Sequence, residues 1–256
     1  AAVFLALAAP AALSDTHYMA TTGSDSYDGT NPAQPLLTLQ HAFAVMSGGD
    51  TLTIDDGTYT DAADLITQFN YPPSGTAGNF TVIRAKNIPG LDGVAVDQPL
   101  KVKFTGSAGF GVSNYPDNDS GKYVKYVKFY GIRWDGAGTY TNWDNIYWKQ
   151  CASMGSVDGN SAAFVIAGKY NLMEDCVAFG KGRYKFLIYD YGYAGNTGNN
   201  VLRRCVARQD WANRDEPTSM PIGGFCTYYL RGTAFLNCVV IDSDTPSQWF
   251  DGSTEI

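Results

Sequence analysis

Residues 145–155 read "NIYWKQCASMG", and three later stretches align with them without gaps: "YNLMEDCVAFG" (170–180), "NNVLRRCVARQ" (199–209) and "GTAFLNCVVID" (232–242). Each carries a cysteine at the same place, Cys151, Cys176, Cys205 and Cys238, at separations of 25, 29 and 33 residues. Three positions before the cysteine stand Trp148, Met173, Leu202 and Phe235, all large and apolar; just after it stand Ala152, Val177, Val206 and Val239. The position just before it is polar throughout, as Gln150, Asp175, Arg204 and Asn237. This spacing has neither a clean period of 2 nor one of 3.6. It fits two very short strands joined by a bend, polar residues outside. A fifth copy, "KYVKFYGIRWD" from Lys125, places Gly131 in the cysteine column.

A further repeated segment lies between these. "AAFVIAG" (162–168), "YKFLIYDYG" (184–192) and "GFCTYYLRG" (224–232) each hold a Phe, an apolar or aromatic run and a closing Gly. Two short strands per irregular period, with variable loops, predict an all-β solenoid. In such a fold each coil cannot bury its own apolar face, and like residues stack in columns about 4.8 Å apart. Cys151, Cys176, Cys205 and Cys238 then form an internal ladder of small apolar thiols. The odd total of five cysteines and the lack of any CxxC spacing fit free thiols better than a zinc site, and His17 and His41 stand alone.

Ahead of the repeats, "TLQHAFAVM" sets Leu39, Ala42, Phe43 and Met46 on one helical face, with Thr38 as N-cap and Gly48-Gly49 beyond the end. "DTLTIDDGTY" follows as a strand through Leu52 and Ile54 into a turn at Asp56-Gly57. A short helix laid over the first coil would cover its unpaired strand edges. Asp25, Asp28 and Asn31 in the preceding "GSDSYDGTNP" read as turn formers rather than metal ligands. The expected division is an arm or signal-like segment at 1–14 and one solenoid domain at 15–256, with a cap at 19–60 and rungs at 80–256.

"GSDSYDGTNPAQPLLTLQHAFAVMSGGDTLTIDDGTY" (23–59) resembles the N-terminal cap of right-handed parallel β-helix proteins, in the manner of family-nine pectate lyases and their uncharacterised secreted relatives. The likeness is specific over the cap and loose through the rungs to Ser243. It implies a right-handed parallel β-helix with a short capping helix, and it implies activity only weakly. Family-nine lyases abstract a proton beside a uronate carboxylate with a basic side chain, while calcium held by clustered Asp residues neutralises the acid. At the matching place this chain reads "FGKGRYKFLIYD", with Lys and Arg where the carboxylates should be; one turn earlier only Asp158-Gly159 remains. Calcium therefore belongs only to a lyase reading that the residues do not favour, and no other cofactor is implied.

A calcium-free lyase would use Lys181 or Lys185 as base, Arg183 as partner of an acidic sugar, and Tyr184, Tyr189 and Asp190 around the ring. The bland alternative is that "KGRYK" is a solvated turn. Asp190, Asp210, Asp215 and Glu216 also fall on neighbouring loops, where a carboxylate pair would serve a glycosidase. The aromatic run "YTNWDNIYW" (140–148) is a sugar platform or simply core.

A net charge of −7 and a pI near 4.7, with no Lys/Arg cluster, argue against nucleic acid or anionic membrane as partner. The apolar start "AAVFLALAAPAAL" is too short to span a bilayer as a helix. It reads either as a secretory leader or as an arm whose Val3, Phe4, Leu5, Leu7 and Leu13 add to a neighbour's open edge. With no evident C-terminal cap after Trp249-Phe250, the first expectation is a secreted, self-assembling filament or surface subunit. The alternative is a polysaccharide lyase, or another β-helix that acts on or binds acidic glycans. Asn79 and Asn118 head N-x-[ST] sequons and are the glycosylation candidates in an extracellular protein.

Overall fold

One residue with left-handed backbone splits each cysteine repeat into two strands. Gln150, Asp175, Arg204 and Asn237 have φ of 50°, 54°, 53° and 53°. The chain turns a corner at each of them and continues as a strand of a different sheet. A computed structural model describes residues 14–67, 69–106, 109–111, 124–136, 138–155, 161–189, 198–208, 223–228 and 232–241.

Three parallel sheets result. Sheet A runs β1 (Thr16–Met19), β2 (Thr51–Ile54), β5 (Thr81–Ala85), β8 (Lys125–Tyr130), β11 (Asp144–Lys149), β14 (Leu172–Glu174), β17 (Val201–Arg203) and β20 (Ala234–Leu236). Sheet B runs β3 (Gly57–Tyr59), β6 (Val102–Thr105), β9 (Ile132–Gly136), β12 (Ala152–Gly155), β15 (Val177–Gly180), β18 (Val206–Arg208) and β21 (Val239–Ile241). Sheet C runs β4 (Leu65–Ile66), β7 (Gly109–Gly111), β10 (Thr139–Thr141), β13 (Ala162–Ile166), β16 (Tyr184–Tyr189) and β19 (Gly223–Tyr228). Each coil visits A, B and C in turn, which makes the chain a parallel β-helix with three strands per coil. The count of two per period takes the cysteine repeat as one strand, although its spacing already fits two joined by a bend; with the segment between repeats the coil has three. The first full coil, β2–β3–β4, begins at Thr51, inside the region expected to be cap and ahead of the expected start of the rungs at 80.

The register confirms the apolar column and extends it downward. Leu52, Ile83, Phe129, Trp148, Met173, Leu202 and Phe235 pair in sequence through sheet A. All are fully buried except Phe235, which is partly so. The fifth copy, however, is displaced by one. Phe129 pairs with Trp148 and Tyr130 with Lys149, so Gly131 stands at the corner beside Gln150 rather than in the cysteine column. Its φ is 69°, and a Cβ there would come within 2.7 Å of Ile88 Cγ1. Ile132, 1% exposed, fills the cysteine place instead.

Cys151, Cys176 and Cys205 are buried and Cys238 half-buried, all as free thiols. Each donates to backbone carbonyls of its own or the previous coil, as from Cys151 Sγ to Phe129 O at 3.4 Å. Burial pushes the Cys176 thiol well up. The column is packing material.

The segment between the cysteine repeats also stacks as expected. Phe164, Phe186 and Phe225 are in register on sheet C, with ring centroids 5.4 and 4.9 Å apart and nearly parallel planes. Each such pair adds about 0.5–1.5 kcal/mol to the burial of the rings themselves. A second left-handed column (Tyr126, Asn145, Tyr170, Asn199 and Gly232) turns the chain from C back to A. Just after it, buried Asn171 accepts from Ile146 N–H at 2.8 Å and donates to Trp143 O at 3.0 Å. Asn200 repeats the pattern one coil on, accepting from Asn171 N–H and donating to Gly168 O. These amides satisfy backbone groups that the corner takes out of the ladder.

At the N-terminal end the helix α1 (Leu39–Val45) buries Leu39, Ala42 and Phe43 against the first coil, with Thr38 Oγ1 accepting from His41 N–H. The loop before it does what its composition predicts. Asp25 accepts from Leu37 and Thr38 N–H, Asp28 from Thr30, and Asn31 from Ala33.

Candidate functional site

The corner from B to C in the fifth coil carries the "KGRYK" turn. It leaves β15 at Gly180, where φ is 88°, passes Gly182 at 93°, and enters β16 at Tyr184. A Cβ on Gly182 would lie 2.5 Å from Ser161 Oγ, so the turn closes tightly on the coil below. Lys181 N–H donates to Gly155 O at 2.7 Å, Tyr184 N–H to Ser161 O at 3.0 Å, and Gly223 N–H to Arg183 O at 3.0 Å. The turn is thus tied to coils on both sides.

Of the two lysines named as bases, Lys185 is buried, at 1% exposure. Its Nζ donates to the carbonyls of Lys181 at 3.1 Å and Gly182 at 2.9 Å. An ammonium that holds its own turn in this way is not open to a glycan, so the structure corrects its assignment as base. Lys181 is half-buried on the same turn.

The aromatic partners do come together. Arg183 lies over the Tyr184 ring at 4.8 Å from its centroid. The Tyr184 and Tyr228 hydroxyls are 2.7 Å apart, and the edge of Tyr228 meets both Tyr184 (5.9 Å) and Tyr189 (6.0 Å). Burial, followed by the bond to Tyr228, raises the Tyr184 phenol far above its ordinary pKa, so it stays a neutral donor and acceptor. Tyr228 was missed in the sequence. It pairs with Tyr189 only through register, 39 residues on, and its run reads as ordinary strand.

The turn does not fit calcium. Lys181, Arg183 and Lys185 stand where the resemblance calls for carboxylates, and their charge repels a divalent cation. Among the described residues no group of three or more His, Cys, Asp or Glu gathers to hold a metal. Asp158, Asp190, Asp210, Asp215, Glu216, Asn118 and the arm residues Val3, Phe4, Leu5, Leu7 and Leu13 lie outside the described residues. Asn79 is exposed, in a backbone-bonded turn with Thr76. The "YTNWDNIYW" run divides: Trp143 and Trp148 are core, at 2% and 0% exposure, while Tyr147 faces a polar cluster.

That cluster, also missed in the sequence, spans three coils on sheet A. Glu174 accepts from Arg203, from Tyr147 and from Arg204 (2.8 Å), and Arg204 Nε donates to Asp175 at 2.7 Å. Hydrogen bonds from Arg203, then Tyr147 and Arg204, hold the Glu174 carboxyl down at about 2 against the penalty of burial. So acidic a group is a poor general base. It ties neighbouring coils together.

No family model matches the chain, and no curated protein does. Solved structures do. A mannuronic acid-specific polysaccharide lyase of family 6 from human gut microbiota superimposes with a TM-score of 0.51 at 12% identity, over 88% of this chain and 51% of that one. Pectate lyase Pel9A gives 0.49 at 15% identity, over 90% and 63%, and a rhamnogalacturonan lyase 0.41 at 17%, over 88% and 51%. The chain thus spans half to under two thirds of the length of these lyases. At such identities the likeness is one of fold. No described helix is long and apolar enough to cross a membrane.

Proposed function

We propose that this chain is the β-helix of a secreted carbohydrate-active protein that engages acidic polysaccharide at the "KGRYK" corner, with lyase-type elimination as the reaction. The observation that carries the reading is the Arg183–Tyr184–Tyr228–Tyr189 group. A guanidinium held against an aromatic face presents its N–H edge to a uronate carboxylate, and phenol rings beside it suit the apolar faces of sugars. Arg183 would neutralise the carboxylate and so acidify the adjacent C–H. Lys181 Nζ would take that proton. The electron pair then forms the C=C bond as the C4–O bond breaks, and the departing oxygen is protonated. The half-buried Tyr189 and Tyr228 orient the ring, and buried Tyr184 holds Tyr228 through its hydroxyl.

Product formation is followed as the ultraviolet absorbance of the unsaturated sugar, on alginate, pectate and rhamnogalacturonan, with and without calcium. Activity on one of them that survives chelation and is lost in Lys181→Ala and Arg183→Ala supports the reading. Activity unaffected by both substitutions, or neither binding nor turnover of any acidic glycan, refutes it.

A further inference from the structure

The outer face of sheet B carries a second cationic group, on the strands that precede the B-to-C corners, that nothing above uses. Lys103 on β6 and Arg133 on β9 are register partners, and both reach the buried carboxylate of Asp135: Lys103 Nζ at 3.2 Å and Arg133 Nε at 2.6 Å. The two cations keep 37% and 32% of their side chains exposed, against 4% for Asp135. Asp135, Met154 and Phe179 stack in one column over successive coils. Arg133 stands opposite the small Ala152, which leaves it a lane along the sheet toward the Phe179 ring, 5.0 Å from its guanidinium. Arg208 on β18 meets the same ring at 5.3 Å.

Asp135 needs one counter-charge and has two beside it, with a third cation along the row. Arg133 spends Nε on Asp135 and one face on Phe179. Among the described residues its two terminal Nη groups have no partner, and these are the edge that grips a carboxylate in bidentate fashion. Lys103 and Arg208 lie four coils apart, about 19 Å at the spacing of parallel strands. A ligand that uses all three cations is therefore long, linear and repeatedly anionic. The negative charge of the whole chain disfavours the dense phosphate backbone of nucleic acid.

We infer that the outer face of sheet B is a docking strip for an acidic polysaccharide chain, which Arg133 grips by a carboxylate while Lys103 and Arg208 extend the contact across the coils. The inference takes only the class of ligand from the proposed function and does not require turnover. The test is affinity electrophoresis and calorimetric titration of the whole chain with polygalacturonate and alginate, with neutral dextran and a single-stranded DNA oligonucleotide as controls. Arg133→Ala with Arg208→Ala should weaken binding of the polyuronides at least about tenfold, the order expected for loss of charge-assisted hydrogen bonds. Arg133→Lys, which keeps the charge and loses the fork, should recover only part of it.

Turnover of short oligouronides should be unchanged in the double variant, and the loss of polyuronide affinity should persist in an Arg183→Ala background, which separates this strip from the Arg183 corner even if the protein proves catalytically inert. Unchanged polyuronide affinity in the folded double variant overturns the inference. So does binding of DNA as tight as that of polygalacturonate. If the double variant lacks a cooperative thermal transition, Lys103→Ala with Arg208→Gln gives the same reading without disturbing the Arg133–Asp135 pair.

Discussion

The corner from sheet A to sheet B and the corner from B to C are built on opposite plans. The first is one residue long in coil after coil, at Gly131, Gln150, Asp175, Arg204 and Asn237, always left-handed. A buried side chain follows it at Ile132, Cys151, Cys176 and Cys205. The second changes in length from coil to coil, and in the fifth it carries two cations, Lys181 and Arg183, and leads into the tyrosines. A corner of fixed length sets the register of everything it joins, so it must repeat. One that varies in length is free to carry polar groups outward, provided the strands beyond it are pinned by their own stacking.

The sharpest way to break this contrast is to remove that pinning. Phe186→Ala, in the middle of the three-ring stack, should cost about 3–5 kcal/mol in chemical denaturation, as expected for emptying a fully packed ring site. A loss below about 1 kcal/mol would mean that the second corner is held by its turn alone. Next, at the corner from C back to A, Asn171→Ala strands the Ile146 N–H and the Trp143 carbonyl. It should cost about 2–3 kcal/mol by the same measurement.

The Glu174 cluster beside the first corner sharpens the comparison through pH. Its folded pKa, about 2, lies below the ordinary 4.5. Its contribution is therefore complete above pH 4.5 and is lost as pH falls from there toward 2. Melting temperature followed through that window should fall more steeply in the native chain than in Glu174→Gln. Smaller still is the expected gain in Tyr170→Gly. Tyr170 is 58% exposed with φ of 57°, and a glycine relieves a left-handed strain of about 1 kcal/mol. Last, Arg183→Ala should shift stability by less than about 0.5 kcal/mol, as substitutions outside the packed core do, while it removes acidic-glycan binding at that corner. A large loss of stability there would make the turn structural after all.

Most of the architecture was legible because a β-helix writes its geometry into the chain as columns. The cysteines, the large residue three before them and the Phe of sheet C each needed only alignment. The displaced copy at Gly131 shows the limit. Without a cysteine to anchor it, its register depended on which residue could adopt the left-handed corner. The cap was legible for a different reason, since Asp28, Asn31 and Thr38 act on neighbours two or three residues on, and Asp25 alone of these reaches farther, to Leu37 and Thr38.

The candidate site was legible only in part. "KGRYK" stood out as cations where carboxylates were expected. Whether each lysine faced solvent depended on a strand pairing that short-range pattern does not encode, and Lys185 is buried against the carbonyls of its own turn. Tyr228, the sheet-A cluster around Glu174 and the cationic row on sheet B all join residues from different coils. The sequence by itself determined the repeat, its periodic core and its capped beginning, because those follow from local backbone preference and the burial of like residues. Tertiary structure alone decided which polar side chains from separate coils share one face, because that depends on register summed over loops whose lengths the repeat leaves free.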